Sequence, residues 1–171
     1  GAFKECSSLV SVDIPPSVTD IGDAVFENCE SLMRITIPNS VMRIGQGAFK
    51  GCSSLVSVDI PPSVTDIGND AFACCRKLRS IAIPDSVMSI EQRAFKECSS
   101  LVSVDIPPSV TKIGDYAFAR CTNLKSIAIP DSVTSIGYRA FKECSSLESA
   151  HIPDSVTRMG KGVFAGCSSL R

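Results

Sequence analysis

The sequence predicts an α/β solenoid built from 23-residue coils, and three observations carry that prediction. All eight phenylalanines fall at 3, 26, 49, 72, 95, 118, 141 and 164, a spacing of 23 with no insertion or deletion. Eight of the nine cysteines follow three residues later, from Cys6 to Cys167, and a leucine follows three later again, from Leu9 to Leu170. A unit of this size cannot bury its own apolar face, so neighbouring units must stack and share one core.

Each coil divides into three parts. "LVSVDI" (residues 9–14) alternates at Val12, Asp13 and Ile14, the period of a short strand with one buried face. Pro15 ends it, because proline lacks the N–H that a ladder needs. "SVTDIG" (residues 17–22) turns Val18 and Ile21 inward and reads as a second extended segment on the opposite side of the coil. Its closing glycine reads as a turn glycine with a left-handed backbone, a position that Glu91 fills in one coil. Ala2, Phe3, Cys6 and Leu9, at offsets 0, 1, 4 and 7, then share one face of a short helical turn. So short a helix depends on packing for its stability. The whole of residues 1–171 forms a single domain of about seven and a half repeats. It starts and stops inside a repeat, as a segment cut from a longer chain does.

A longer period overlies the shorter one. Residues 2–22 recur at 48–68 and at 94–114 with one change each, so the duplicated unit is a pair of coils, 46 residues long. Thr36 and Ala82 then separate Asp13, Asp59 and Asp105. No two of these carboxylates occupy adjacent rungs, where like charges oppose each other across a sheet.

The pattern L-x-x-[IV]-x-I-P-x-S-V-x-x-I-G-x-x-A-F-x-x-C resembles the repeat of the BspA-like (Treponema pallidum-type) leucine-rich repeat family over the entire chain. Ser17 and its equivalents stand where other leucine-rich repeat classes carry an asparagine ladder. The resemblance implies a right-handed arc or horseshoe with the L-x-x-[IV]-x-I strands forming a parallel concave sheet. It also implies surface-exposed or secreted adhesion, often to extracellular matrix or host-cell surface proteins.

Composition narrows the function classes. The chain is 44% hydrophobic and 20% charged, as globular chains are. A net charge of −1 leaves no basic excess for nucleic acid. No run of 18 apolar residues predicts a transmembrane span.

The residues that carry chemistry elsewhere have structural readings here. Cysteine three residues after a core phenylalanine points inward, so the cysteine column reads as a buried, reduced ladder. Cys74 stands instead in the outward column of Glu5, Glu97 and Glu143 and reads as the exposed thiol. His151 is the lone histidine, so neither a histidine-based triad nor a histidine-rich metal site can assemble readily. Gly45-Gln46-Gly47 and Gly160-Lys161-Gly162 lack the glycine and lysine spacing of phosphate-binding loops. Asp13, Asp59 and Asp105 stand two rungs apart, roughly 10 Å, too far to share a calcium ion. No acid, base and nucleophile converge, so the reading is a binding protein and not an enzyme, with no cofactor, metal or small-molecule substrate.

A binding surface then belongs to the outward columns of the concave strands. One column reads Val10, Met33, Val56, Arg79, Val102, Lys125 and Glu148. Arg34 lies in the next, and Asp13, Asp59, Asp105 and His151 lie in the third. The leading reading is a protein-interaction or adhesion module acting through this face. A ligand-free spacer or consensus-like recombinant scaffold, and an intracellular recognition repeat, are the alternatives. Unprotected terminal coils add end-to-end self-association to the expected contacts.

Overall fold

The computed structural model describes residues 1–171 as a solenoid of parallel coils. Its strands, numbered in chain order, are β1 (Asp20–Ile21), β2 (Arg43–Ile44), β3 (Asp66–Ile67), β4 (Ser80–Ala82), β5 (Ser89–Ile90), β6 (Ser103–Asp105), β7 (Lys112–Ile113), β8 (Ser126–Ala128), β9 (Ser135–Ile136), β10 (Ser149–His151) and β11 (Arg158–Met159). The L-x-x-[IV]-x-I segments make one side: β4 pairs with β6, β8 pairs with β10, and isolated bridges join Asp13, Thr36 and Asp59. The S-V-x-x-I segments make a second side, with β1-β2-β3 and β5-β7-β9-β11 in line. Every pairing is parallel, and every residue faces its equivalent 23 positions on, as Ser80 faces Ser103 and Lys112 faces Ser135.

The core is a set of stacked identical columns. Neighbouring phenylalanine rings lie 5.2 to 5.7 Å apart and within 12° of parallel, from Phe3 to Phe164. Leu32, Val41 and Ile44 and their equivalents fill the space between the two sides. The serine column adds a polar ladder just outside it. Ser40 Oγ donates to the Val18 carbonyl at 2.6 Å, Ser109 to Val87 at 2.8 Å and Ser132 to Val110 at 2.6 Å. Serine thus binds the backbone of the preceding coil where other repeat classes use asparagine.

The Phe-x-x-Cys segment differs from the expected helix. The chain contains no α-helix, and the segment is a run of turns closed from residue i to i−3. In the coil of Phe95, Lys96 N–H donates to Arg93, Cys98 to Phe95 and Leu101 to Cys98. The alternate amides, those of Arg93, Phe95 and Glu97, donate instead to Asp115, Ala117 and Ala119 of the next coil at 2.8 to 2.9 Å. Arg93 and Glu97 adopt φ of 56° and 61°, and this left-handed step, recurring four residues on, prevents the i−4 bond of a helix. Spacing by three satisfies a chain of turns as well as it satisfies a helical face.

Left-handed backbone therefore sits in these turns and not at the glycine that closes the second segment. Gly45, Gly68, Gly114, Gly137 and Gly160 lack positive φ; coils approach closely at them, and Glu91 shows that the column admits a side chain where its neighbours adjust. A Cβ at Gly68 would stand 2.7 Å from the Gln46 amide nitrogen, and one at Gly114 would stand 2.7 Å from that of Gln92. Glu91 has ordinary φ and keeps its side chain near Ser89. Cys74, φ 62°, shares this strain with Glu5, Asn28, Glu97, Arg120 and Glu143 of its column, where Gly51 and Gly166 stand in two other coils.

Three variants test these packing and backbone readings by urea unfolding. Phe95→Ala, which empties a fully buried ring site, should cost on the order of 3–5 kcal/mol in urea unfolding. Cys74→Gly should raise stability by up to about 1 kcal/mol by relieving the left-handed strain. Glu91→Gly should bring no gain. The reverse order of the two glycine variants would place the strain at the wrong turn.

Candidate binding face

The outward face of the L-x-x-[IV]-x-I side is a rack of side chains one rung apart. Val10, Met33, Val56, Arg79, Val102, Lys125 and Glu148 form one continuous column, because each amide donates to the carbonyl of its equivalent one coil back. These bonds run from Met33 to Val10 at 3.1 Å through to Glu148 to Lys125 at 2.8 Å. The alternation of the strand sends Val104 and Ile127 inward and leaves Ser103 and Asp105 outward.

The column changes character along its length. Val10, Met33 and Val102 are 54%, 49% and 44% exposed, unusually open for apolar side chains. Val56 is half-buried between Met33 and Arg79. Arg34, Arg79, Lys125 and Glu148 are exposed and take part in no ion pair. The third column pairs Asp13 with Thr36, Thr36 with Asp59, Ala82 with Asp105 and Ala128 with His151. The aspartates are therefore separated by a neutral rung in each case, and the face is one surface and not a set of pockets.

The thiols take a different place. Each cysteine from Cys29 to Cys167 donates its Sγ–H to the carbonyl of the phenylalanine one coil back, at 3.0 to 3.2 Å. Burial pushes Cys52 and Cys121 up to about 12 and holds Cys75 and Cys98 well above the ordinary thiol value. Cys74, placed outward by the sequence, is half-buried, its Sγ 3.7 Å from Glu97 Oε2. Desolvation first, and then the Glu97 charge, raise its thiol also, so the exposed cysteine is Cys6.

Charge pairing between coils is the feature that the sequence reading missed. Glu27 lies 2.9 Å from Lys4 and 3.4 Å from Lys50, and these contacts hold its carboxyl below the usual range. Arg43 bridges Asp20 and Asp23, Arg93 pairs with Asp70, and Arg120 reaches both Glu97 and Glu143. The signal was present as opposite charges one repeat apart in each of these pairs except Asp23–Arg43, which are 20 residues apart. Asp23, Asn69 and Asp115 add a cap in every second coil, each accepting the amide of the residue 23 positions on.

The comparisons agree with this frame. The family model for the BspA type leucine rich repeat region matches residues 1–102 and 88–171, and so spans the chain. A leucine-rich repeat protein from Bacteroides ovatus is 35% identical over 99% of this chain, with a TM-score of 0.77. One from Eubacterium ventriosum is 28% identical over 94%, with a TM-score of 0.85. A leucine-rich cell surface protein from Faecalibacterium prausnitzii is 31% identical over 99%, with a TM-score of 0.52. The matches cover 50%, 44% and 60% of those chains, so this chain spans about half the length of the first two. No curated protein matches the sequence. No helix is long and apolar enough to cross a membrane.

The raised thiols give a pH test. The folded pKa of Cys52 and Cys121 exceeds that of the unfolded chain, so their contribution to stability is complete below about pH 9 and is lost as pH rises toward 12. Urea midpoints should fall across that window. The fall should be shallower in a Cys52→Ala, Cys121→Ala double variant, and identical slopes would mean that the thiols ionise freely in the fold.

Proposed function

Because the chain belongs to the BspA-type leucine-rich repeat family, we propose that it is a protein-interaction or adhesion module of a cell-surface or secreted protein, without catalytic activity. The observation that carries this reading is the outward column from Val10 to Glu148. Its side chains are held one rung apart by a backbone ladder, and its charges are unpaired within the chain. Such a surface offers apolar contact at the Val10, Met33 and Val56 end and charge recognition at the Arg79, Lys125 and Glu148 end. Each rung contributes little alone, and array length supplies strength through repeated weak contacts.

A surface location accords with the thiols. The ladder from Cys29 to Cys144 is buried, so it stays reduced by inaccessibility even where the surroundings are oxidising. The partner class, an extracellular matrix or host-cell surface protein, rests on the family relationship and on the cell surface relative.

Binding to a panel of immobilised matrix proteins tests the proposal. An Arg79→Glu, Lys125→Glu variant should bind about tenfold or more weakly while its urea midpoint stays unchanged. Absence of binding across the panel, or binding indifferent to this change, would assign the array to a spacer role.

A further inference from the structure

A second surface lies at the corner where the S-V-x-x-I side meets the turns. The chain has two tyrosines, and they meet there on adjacent coils, with ring centroids 5.3 Å apart at 80°. The Tyr116 amide donates to the Tyr138 carbonyl at 2.9 Å, which fixes the pair on the backbone frame. The Arg139 guanidinium lies 4.8 Å above the Tyr138 ring. Two aromatic rings and an arginine, held before any ligand arrives, make an anchor of the kind that dominates protein interfaces.

The electrostatics of this corner depart from the rest of the chain. Elsewhere on the turns, cations are matched across coils, as Arg43, Arg93 and Arg120 are. Here Lys112, Arg139, Arg158 and Lys161 form no ion pair. Of the carboxylates beside them, Asp115 accepts the Tyr138 amide at 2.7 Å. Each of the four cations stands in an outward column, and Lys112, Arg158 and Lys161 are exposed. Four cations against two carboxylates, Asp115 and the Glu91 that lines a groove with Lys112, leave this corner net positive on a chain whose net charge is −1.

Geometry narrows the ligand further. A shallow groove of about 590 Å³ runs along the coils between Lys112, Tyr138 and Arg158. Lys112 and Arg158 both face Ser135 in register, so they stand two rungs apart, roughly 10 Å. A polyproline II chain advances about 9 Å in three residues and returns every third side chain to the same face. The groove carries one tyrosine, Tyr138, on its wall, with Tyr116, Arg139 and Lys161 outside it, and grooves with such aromatic walls receive extended chains.

We infer that the Tyr116, Tyr138 and Arg139 corner, with Lys112, Arg158 and Lys161, docks an extended acidic segment of a partner protein carrying a carboxylate at every third residue. This surface is separate from the outward column of the L-x-x-[IV]-x-I side, and its existence does not depend on that column binding anything.

Fluorescence anisotropy with a labelled (Glu-Pro-Pro)4 peptide tests the inference. Saturable binding should weaken with added salt. It should fall about tenfold or more in Arg158→Glu, Lys161→Glu and in Tyr138→Ala, and it should survive in Tyr138→Phe and in Arg79→Glu, Lys125→Glu. Unchanged urea midpoints certify that the variants are folded. Lack of saturable binding overturns the inference. So does equal binding of a peptide of the same composition with its glutamates contiguous. Binding of a sulfated polysaccharide that needs Lys161 but not Tyr138 would reassign the corner to a general polyanion. Concentration-dependent dimerisation abolished by Arg158→Glu, Lys161→Glu would reassign it to a second copy of the chain.

Discussion

Every coil must close in 23 residues so that phenylalanine falls on phenylalanine. The ring spacing of 5.2 to 5.7 Å exceeds the roughly 4.8 Å between neighbouring strands only slightly. The aromatic stack and the two strand sides therefore advance together. A single inserted residue would turn one coil's inward set outward on the strand sides, because side-chain direction there has a period of two. It would also displace one ring from the stack, one thiol from its carbonyl and one serine from its ladder. That joint requirement accounts for an array without insertions.

The ladders differ in what they contribute. Phenylalanine and leucine supply the buried area, serine satisfies carbonyls that the strands leave over, and the cysteine thiol adds a second donor to a phenylalanine carbonyl already used in its turn. Removing the serine oxygen exposes an acceptor to an apolar neighbour, a cost of about 1–3 kcal/mol per site. The ion pairs across the turns are mostly exposed, and pairs of that kind add little each. Their role is better seen as one of matching, since opposite charges favour one order of coils and like charges disfavour another. The unmatched cations around Tyr138 stand out against that background.

The fold was largely legible in the columns. Periodicity of 23 gave the coil, alternation at Val12, Asp13 and Ile14 gave the first strand, and Val18 with Ile21 gave the second. The turn segment was misread for a physical reason: Phe3, Cys6 and Leu9 recur at three, a spacing shared by helices and by successive turns. Only the backbone decides between them, and Ala24, Asn28, Arg93 and Glu97 are ordinary residues that do not announce positive φ. The glycines announced it falsely, because the sequence cannot separate a glycine needed for φ from one needed for close approach. The outward column was legible as a surface, whereas the tyrosine corner was not. Tyr116 and Tyr138 are 22 residues apart and meet only because they occupy adjacent columns of adjacent coils.

The hydrogen bonds between coils run in two directions. On the strand sides the parallel ladder exchanges bonds both ways, as Met42 donates back to Thr19 and Ile129 forward to His151, while in the turns amides such as that of Phe26 donate to the coil after them, here to Ala48. Each coil therefore carries peptide dipoles of both senses along the axis, and these offset each other in part. An α-helix sums its dipoles and accumulates a partial charge at each end; this array does not. Coils can therefore be gained or lost in whole multiples without adding to an end charge of that kind.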